Sequence, residues 1–138
     1  MNCYVDSSVL LRVLFEEPKP LVEWGRIAEA VSSRLLQLEC FRVIHRGQIT
    51  GQLTYAESID LLARCRRLLQ QIGILPVTEL VLQRAEQQFL SPVGSLDAIH
   101  LASAMAWKNY RRPDLFLATH DTQLATAAHA HGLKVIGV

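Results

Sequence analysis

The stretch Leu96-Asp97-Ala98-Ile99-His100-Leu101-Ala102-Ser103-Ala104-Met105-Ala106 constrains this chain more than any other. It reads as a helix that is apolar nearly all the way round, and such a helix has to be enclosed by other elements. A carboxylate, Asp97, nevertheless falls in its first turn, just after Ser95, the expected cap. A charge beside a buried helix is costly unless something pairs with it. The helix N-terminus is one partner on offer, and a bound cation is the other.

Enclosing such a helix requires a sizeable core. The 138 residues, 50% of them hydrophobic, are enough for one domain spanning residues 1–138. Fourteen Lys and Arg against thirteen Asp and Glu leave a net charge of +1, which excludes a polybasic tail as a general nucleic-acid adhesive. A local basic groove is still allowed, because net charge says nothing about distribution. Cys3, Cys40 and Cys65 are isolated and form no CxxC, so they read as small core residues in a reducing, cytoplasmic setting. Met1 to Asp6 has no basic region and meets an acid at once, unlike a signal peptide. No apolar run approaches the roughly 20 residues that span a bilayer.

Along the chain, short apolar runs alternate with helical patterns. Cys3-Tyr4-Val5 reads as a buried strand, followed by a helix over Val9–Phe15 capped by Ser7 or Ser8. The periodicity of Leu21 to Ala30 predicts an amphipathic helix, and Ala30–Ser33 a second strand. A helix from Arg34 or Leu35 to His45 or Arg46 carries Glu39 early in it, and Gly47 and Gly51 bracket a polar turn. Thr54-Tyr55-Ala56-Glu57 has capping-box spacing and opens a helix to about Gln71, making an antiparallel hairpin with the one before. Ile74–Val77 reads as a strand, at a sheet edge because of Pro76, and Thr78 caps a helix reaching Phe89. Leu115–Thr119 reads as a buried strand, Gln123–Ala130 as a short helix and Leu133–Ile136 as the last strand. The alternation predicts an α/β domain: a mainly parallel sheet of about five short strands, flanked by helices and extended by the hairpin arm.

The acids follow a pattern in that layout. Asp6 stands at the carboxyl end of the first strand, and Asp121 just past the carboxyl end of another. Glu39 and Asp97 are expected in the first turns of two helices. Open parallel sheets bind ligands outside the carboxyl ends of their strands, so all four acids are expected at one sheet edge. Taken singly, the helix dipole accounts for Glu39 and Asp97, and helix capping for Asp6 and Asp121. Together they form a cluster of like charges without a nearby Lys, and some of their pKa values are expected to rise. A hard divalent cation relieves this, and all-oxygen ligands favour Mg²⁺ or Mn²⁺ over zinc.

At this point the chain resembles the PIN-domain ribonucleases, and among them the VapC-type toxins of toxin–antitoxin pairs. Tyr4-Val5-Asp6-Ser7-Ser8-Val9-Leu10 resembles the family's opening strand and first acid, and Ser33-Arg34-Leu35-Leu36-Gln37-Leu38-Glu39 its second motif. Leu96–Ala104 is close to its most recognisable stretch, and Leu117-Ala118-Thr119-His120-Asp121 resembles its last. The resemblance covers essentially the whole chain. It implies Mg²⁺- or Mn²⁺-dependent endonucleolytic cleavage of RNA, with Asp6, Glu39, Asp97 and Asp121 as catalytic metal ligands. It also implies Ser7 and Thr119 as groups touching those ligands or the phosphate. The hairpin from about Leu35 to Gln71 resembles the family's arm, which implies a homodimer and a cognate antitoxin. Arg42, Arg46, Arg64, Arg66 and Arg67 are candidates for an RNA groove or an antitoxin contact. One departure is that only Asp121 stands where some relatives have two acids.

Two rival readings have their own signatures. A catalytically inactive PIN-like module that binds RNA or protein has no physical need for an intact acid quartet. A phosphatase or phospho-accepting receiver domain needs paired acids and a Lys beside the phosphate. Here Asp6 is followed by Ser7-Ser8, and Lys19, Lys108 and Lys134 lie outside the strand-end motifs that carry the acids.

Overall fold

The computed structural model describes all residues from Met1 to Val138. The chain runs β1 (Asn2–Val5), α1 (Ser7–Leu14), β2 (Glu29–Ser33), α2 (Leu35–Ile49), α3 (Tyr55–Leu69), β3 (Gly73–Leu75), α4 (Glu79–Ala85), α5 (Ser95–Tyr110), β4 (Phe116–Ala118), α6 (Thr122–Ala130) and β5 (Lys134–Ile136). The strands form one sheet in the order β3-β2-β1-β4-β5, and every pairing is parallel. The α/β class, the parallel five-stranded sheet and the flanking helices are as expected from the alternation. No helix is long and apolar enough to cross a membrane.

Strand periodicity divides the core. Successive side chains of a strand point to opposite faces. Cys3 and Val5 accordingly pack with Val9, Leu21 and Ala118. Tyr4 packs on the other face with Leu101 and Ala104 of α5 and Leu124, Ala127 and Ala128 of α6. A third cluster joins Leu10 and Leu14 of α1, Leu36, Cys40 and Ile44 of α2, and Leu62, Cys65 and Leu69 of α3. The α2–α3 hairpin is therefore rooted in the domain. The six consecutive or near-consecutive residues Ala98, His100, Leu101, Ala102, Ser103 and Ala104 are all buried, so α5 is enclosed as its apolar circumference requires.

Several local expectations are corrected. Leu21 to Ala30 is not a helix; it holds a single 3₁₀ turn at Trp24–Arg26 and then enters β2 at Glu29. The apolar residues do not share a face, since Leu21 is buried while Val22 is 85% exposed. The backbone N–H groups of Ala28 and Glu29 both donate to the Met1 carbonyl, which draws the segment out beside β1. Helix α2 runs past Gly47 to Ile49, because Gly47 lies inside the helix against the Leu53 side chain, where an added Cβ would come within 2.8 Å. The reversal is made at Gly51 with φ +76°, and the capping box of Thr54 and Glu57 forms as expected. Helix α4 stops at Ala85, and Phe89 lies beyond it, stacked 4.3 Å below the Arg84 guanidinium. Strand β3 is an edge strand, ending just before Pro76.

The caps also differ. Asp6, not Ser7 or Ser8, caps α1 by accepting from the Ser8 N–H. Ser95 is the first residue of α5; the cap position belongs to Gly94, which has no side chain to offer. Glu39 is the fifth residue of α2, in its second turn rather than its first. The helix-dipole explanation for Glu39 therefore fails, since the effect fades beyond the first turn.

Candidate active site

The chain enters the sheet at β1, moves outward through β2 and β3, and returns to the other side of β1 as β4. The strand order reverses between β1 and β4, and open α/β sheets bind ligands at the carboxyl ends of strands there. Asp6 follows β1, and its N–H donates to the Ala118 carbonyl of β4 at 3.0 Å. Thr119, His120 and Asp121 follow β4. Helix α2 brings Glu39 from its second turn, and helix α5 brings Asp97 from its first.

Asp6 is held by one oxygen. Its Oδ2 accepts from Ser8 N at 3.3 Å, Ser8 Oγ at 2.6 Å and Thr119 Oγ1 at 2.9 Å. Thr119 is fully buried and its Oγ1 accepts from the Asp121 N–H at 3.0 Å. Ser8 Oγ accepts from the His120 N–H at 2.9 Å. The two hydroxyls thus tie the β1–α1 turn to the β4–α6 turn and leave Asp6 Oδ1 without a hydrogen bond. Thr119 touches Asp6 directly. Ser7 makes no side-chain hydrogen bond, and Ser8 holds the place beside the acid that was anticipated for it.

Asp121 is the cap of α6. Its Oδ1 accepts from Gln123 N at 2.7 Å and Leu124 N at 2.9 Å, and Oδ2 accepts nothing. Asp97, in the first turn of α5, accepts no hydrogen bond from the protein. Its pKa is pushed up to about 6, first by burial and then by the charges of Asp121 and Asp6, with Glu39 adding to them and His100 opposing. The four acids expected at one edge are therefore within electrostatic reach of one another. A helix N-terminus does not by itself make Asp97 comfortable.

His100 is a further residue of the site, one that its place on an apolar helix does not announce. It stands one turn beyond Asp97 and is fully buried. Its Nε2 is 2.6 Å from Glu39 Oε2 and 3.9 Å from Asp6 Oδ1. Its Nδ1 is 2.9 Å from the Tyr4 hydroxyl, whose oxygen also accepts from the Ser33 N–H at 3.0 Å. Burial works to lower the imidazole pKa, but the Glu39 hydrogen bond, Tyr4 and the charges of Glu39 and Asp6 outweigh it and raise the value to about 10. The one basic group in the cluster is thus drawn towards its charged form by the acids around it. The available signal was spacing: a polar residue at i+3 from Asp97 on a buried helix needs a partner.

The donor set suits a hard divalent ion. Asp6 Oδ1, Glu39 Oε1, Asp121 Oδ2 and both Asp97 oxygens accept no hydrogen bond within the protein. Hard oxygen donors and surplus negative charge are what Mg²⁺ or Mn²⁺ requires. As the side chains stand, no group of three could hold a metal ion, so ligation needs side-chain rotation.

Arg42 and Arg46 lie exposed on α2, one and two turns beyond Glu39, with no ion-pair partner. Arg64 pairs with Glu16 at 3.0 Å, and Arg66 stacks 5.3 Å from the Phe41 ring. A groove of about 840 Å³ adjoins α2, lined by Arg34, Leu35, Leu38, Phe41, Ile74 and Ile99 among others.

Comparison with known proteins bears on the family and the fold. Residues 3–130 match the family model described as PIN domain. Ribonuclease VapC47 of Mycobacterium tuberculosis (strain CDC 1551 / Oshkosh) is 34% identical over 136 residues, covering 94% of this chain and 91% of that protein. Among solved structures, a toxin–antitoxin complex from Klebsiella pneumoniae matches with a TM-score of 0.66 at 16% identity, covering 98% of this chain and 96% of that one. The VapBC2 structure from Rickettsia felis, bound to a promoter DNA fragment, matches with a TM-score of 0.65 at 10% identity, covering 98% and 97%. At those identities the structural matches speak to the fold.

Proposed function

The chain belongs to the PIN-domain family, and on that footing we propose that it is a Mg²⁺- or Mn²⁺-dependent endoribonuclease, the VapC-type toxin of a toxin–antitoxin pair. The observation that carries the reading is the gathering of Asp6, Glu39, Asp97 and Asp121 at the β1–β4 reversal, with Asp97 raised to about 6 by burial and its acidic neighbours. Four carboxylates repel a phosphodiester, so the cluster suits RNA chemistry only when a cation is held there.

Asp6 Oδ1, Asp97, Glu39 Oε1 and Asp121 Oδ2 are the groups that would hold the ion. A divalent cation bound there supplies charge for the phosphoryl oxygens and lowers the pKa of a water to be used as nucleophile. The chain's own residues prepare the site. Ser8 and Thr119 immobilise Asp6 through Oδ2, and α6 immobilises Asp121 through Oδ1. Asp97 remains free to turn, because nothing hydrogen-bonds it. Arg42 and Arg46, exposed and unpaired on the helix that carries Glu39, supply phosphate contacts for the flanking RNA.

The partners follow the same reading. The apolar groove beside α2, with Leu38 53% exposed at its rim, is the candidate seat of the antitoxin. The outer hairpin surface, with Ile49, Tyr55 and Ile59 exposed, is the candidate face for a homodimer. Free, buried Cys3, Cys40 and Cys65 suit the cytoplasm.

The test is cleavage of mixed structured RNAs by the purified chain with Mg²⁺ or Mn²⁺ and with excess chelator, beside Asp6→Asn and Asp97→Asn. Metal-dependent endonucleolysis lost in both variants is the expected result. Variants that cut as well as wild type overturn the assignment.

A further inference from the structure

Glu39 differs from the other three acids in how it is held. Asp6 and Asp121 are fixed by groups in their own turns and by Thr119, and Asp97 by nothing. Glu39 sits in the second turn of α2, beyond reach of the free N–H groups at that helix's start. Its one protein hydrogen bond comes from a different helix, α5, through His100.

The hydrogen-bond chain behind that contact runs through the core. A carboxylate oxygen only accepts, so Nε2 of His100 must carry a proton, whatever the charge on the ring. That N–H is directed at Glu39 Oε2 over 2.6 Å. The other ring nitrogen faces the Tyr4 hydroxyl at 2.9 Å, and the Tyr4 oxygen is fixed in turn by the Ser33 N–H at 3.0 Å. Tyr4 and His100 are both fully buried and their rings meet edge to face, 5.8 Å apart. Neither ring can swing without leaving buried polar atoms unpaired, which is expensive in an apolar surround. The chain Ser33–Tyr4–His100–Glu39 links β2, β1, α5 and α2.

We propose that His100, oriented by Tyr4, is a positioning residue that fixes Glu39 by Oε2, so that Glu39 presents only Oε1 to a divalent cation. This rests on the metal-dependent reading above. His100 touches neither RNA nor the reacting atoms in this role; it acts through Glu39. Groups that orient ligands in this way commonly change metal affinity by about 10–100-fold when removed.

The test is Mn²⁺ binding by the full chain without RNA, followed by titration calorimetry, with circular dichroism and thermal melting to establish folding. His100→Leu is expected to weaken Mn²⁺ binding about tenfold or more. His100→Gln, whose amide N–H replaces Nε2–H, is expected to recover most of the loss. The decisive comparison is with Glu39→Gln. If His100 acts through Glu39, the double variant His100→Leu/Glu39→Gln binds Mn²⁺ as weakly as Glu39→Gln alone, whereas a merely structural role makes the two losses multiply. Tyr4→Phe keeps the ring and removes the hydroxyl. It is expected to lower affinity a few-fold, and it decides the matter if His100→Leu does not fold. Folded His100→Leu or Tyr4→Phe protein that binds Mn²⁺ like wild type, or losses that multiply with that of Glu39→Gln, overturns the proposal. A wild-type chain that binds no Mn²⁺ overturns the metal-dependent reading, and this proposal with it.

Discussion

The Thr119 hydroxyl donates to Asp6 Oδ2 at 2.9 Å while accepting the Asp121 N–H at 3.0 Å. One buried side chain thus ties the first acid of the chain to the last. Replacing Thr119 with Val keeps the shape and removes both bonds. Leaving buried partners unsatisfied costs about 1–3 kcal/mol, so Thr119→Val is expected to lower the urea midpoint accordingly. Cleavage is expected to fall more steeply than stability, because Asp6 loses a restraint. Equal activity at saturating Mg²⁺ would place Thr119 in the fold alone.

Asp97→Asn should separate stability from function. The native carboxylate is half-buried among other acids and accepts no hydrogen bond from the protein. Its neutral amide relieves that repulsion, so the metal-free variant is expected to melt a few degrees above wild type, since about 1 kcal/mol moves a domain of this size by roughly 2–8 °C. The stabilisation that Mn²⁺ gives wild type is expected to vanish in the variant, along with cleavage. A variant less stable than metal-free wild type would show that the carboxylate is structural.

The pH dependence has a definite sign. Asp97 has its folded pKa raised to about 6 from an ordinary 3.8. An acid raised on folding adds stability below its unfolded value, and that contribution disappears as pH rises through the folded value. Metal-free protein is therefore expected to melt at lower temperature at pH 7 than at pH 5. With Mn²⁺ present the order reverses, because the cation needs the ionised carboxylate. Thermal melts at both pH values, with and without Mn²⁺, check this, and a metal-free protein more stable at pH 7 contradicts it.

The double variant Arg42→Gln/Arg46→Gln addresses the RNA path. With neither side chain paired inside the protein, the fold is expected to be indifferent to their loss. The KM for RNA should rise while kcat holds. Losing two phosphate contacts on a single strand should make the salt dependence of binding shallower by roughly 1.4 in the log–log slope. An unchanged slope removes these residues from the RNA path.

Much of this architecture was legible in the sequence, for reasons that can be named. The unbroken apolar run around Leu101 leaves no choice but enclosure, and the short strands β1 and β4 follow from local hydrophobic runs. Asp6 and Asp121 sit at strand-to-helix junctions and Asp97 in the first turn of α5, after a loop rich in turn residues, and local sequence marks all three places. Leu21 to Ala30 was not legible, because its backbone is claimed by the Met1 carbonyl, a contact that no local period encodes. The turn occupied by Glu39 depended on where α2 begins, and Arg34, which precedes the helix, has no side-chain cap bond to announce the start. His100 was hidden for the opposite reason. On a buried helix it reads as core, and only Glu39 and Tyr4, brought from far along the chain, reveal what it does there.

The pairing of β1 with β4 sets Tyr4 beside Leu117, and the Asp6–Thr119 bond spans 113 residues. Contacts of such separation form late, since a long loop must close before they repay its cost. Any segment that stops short of β4 therefore lacks the wall that holds Asp6, so the acidic pocket is a joint product of the two ends of the fold and belongs to neither alone.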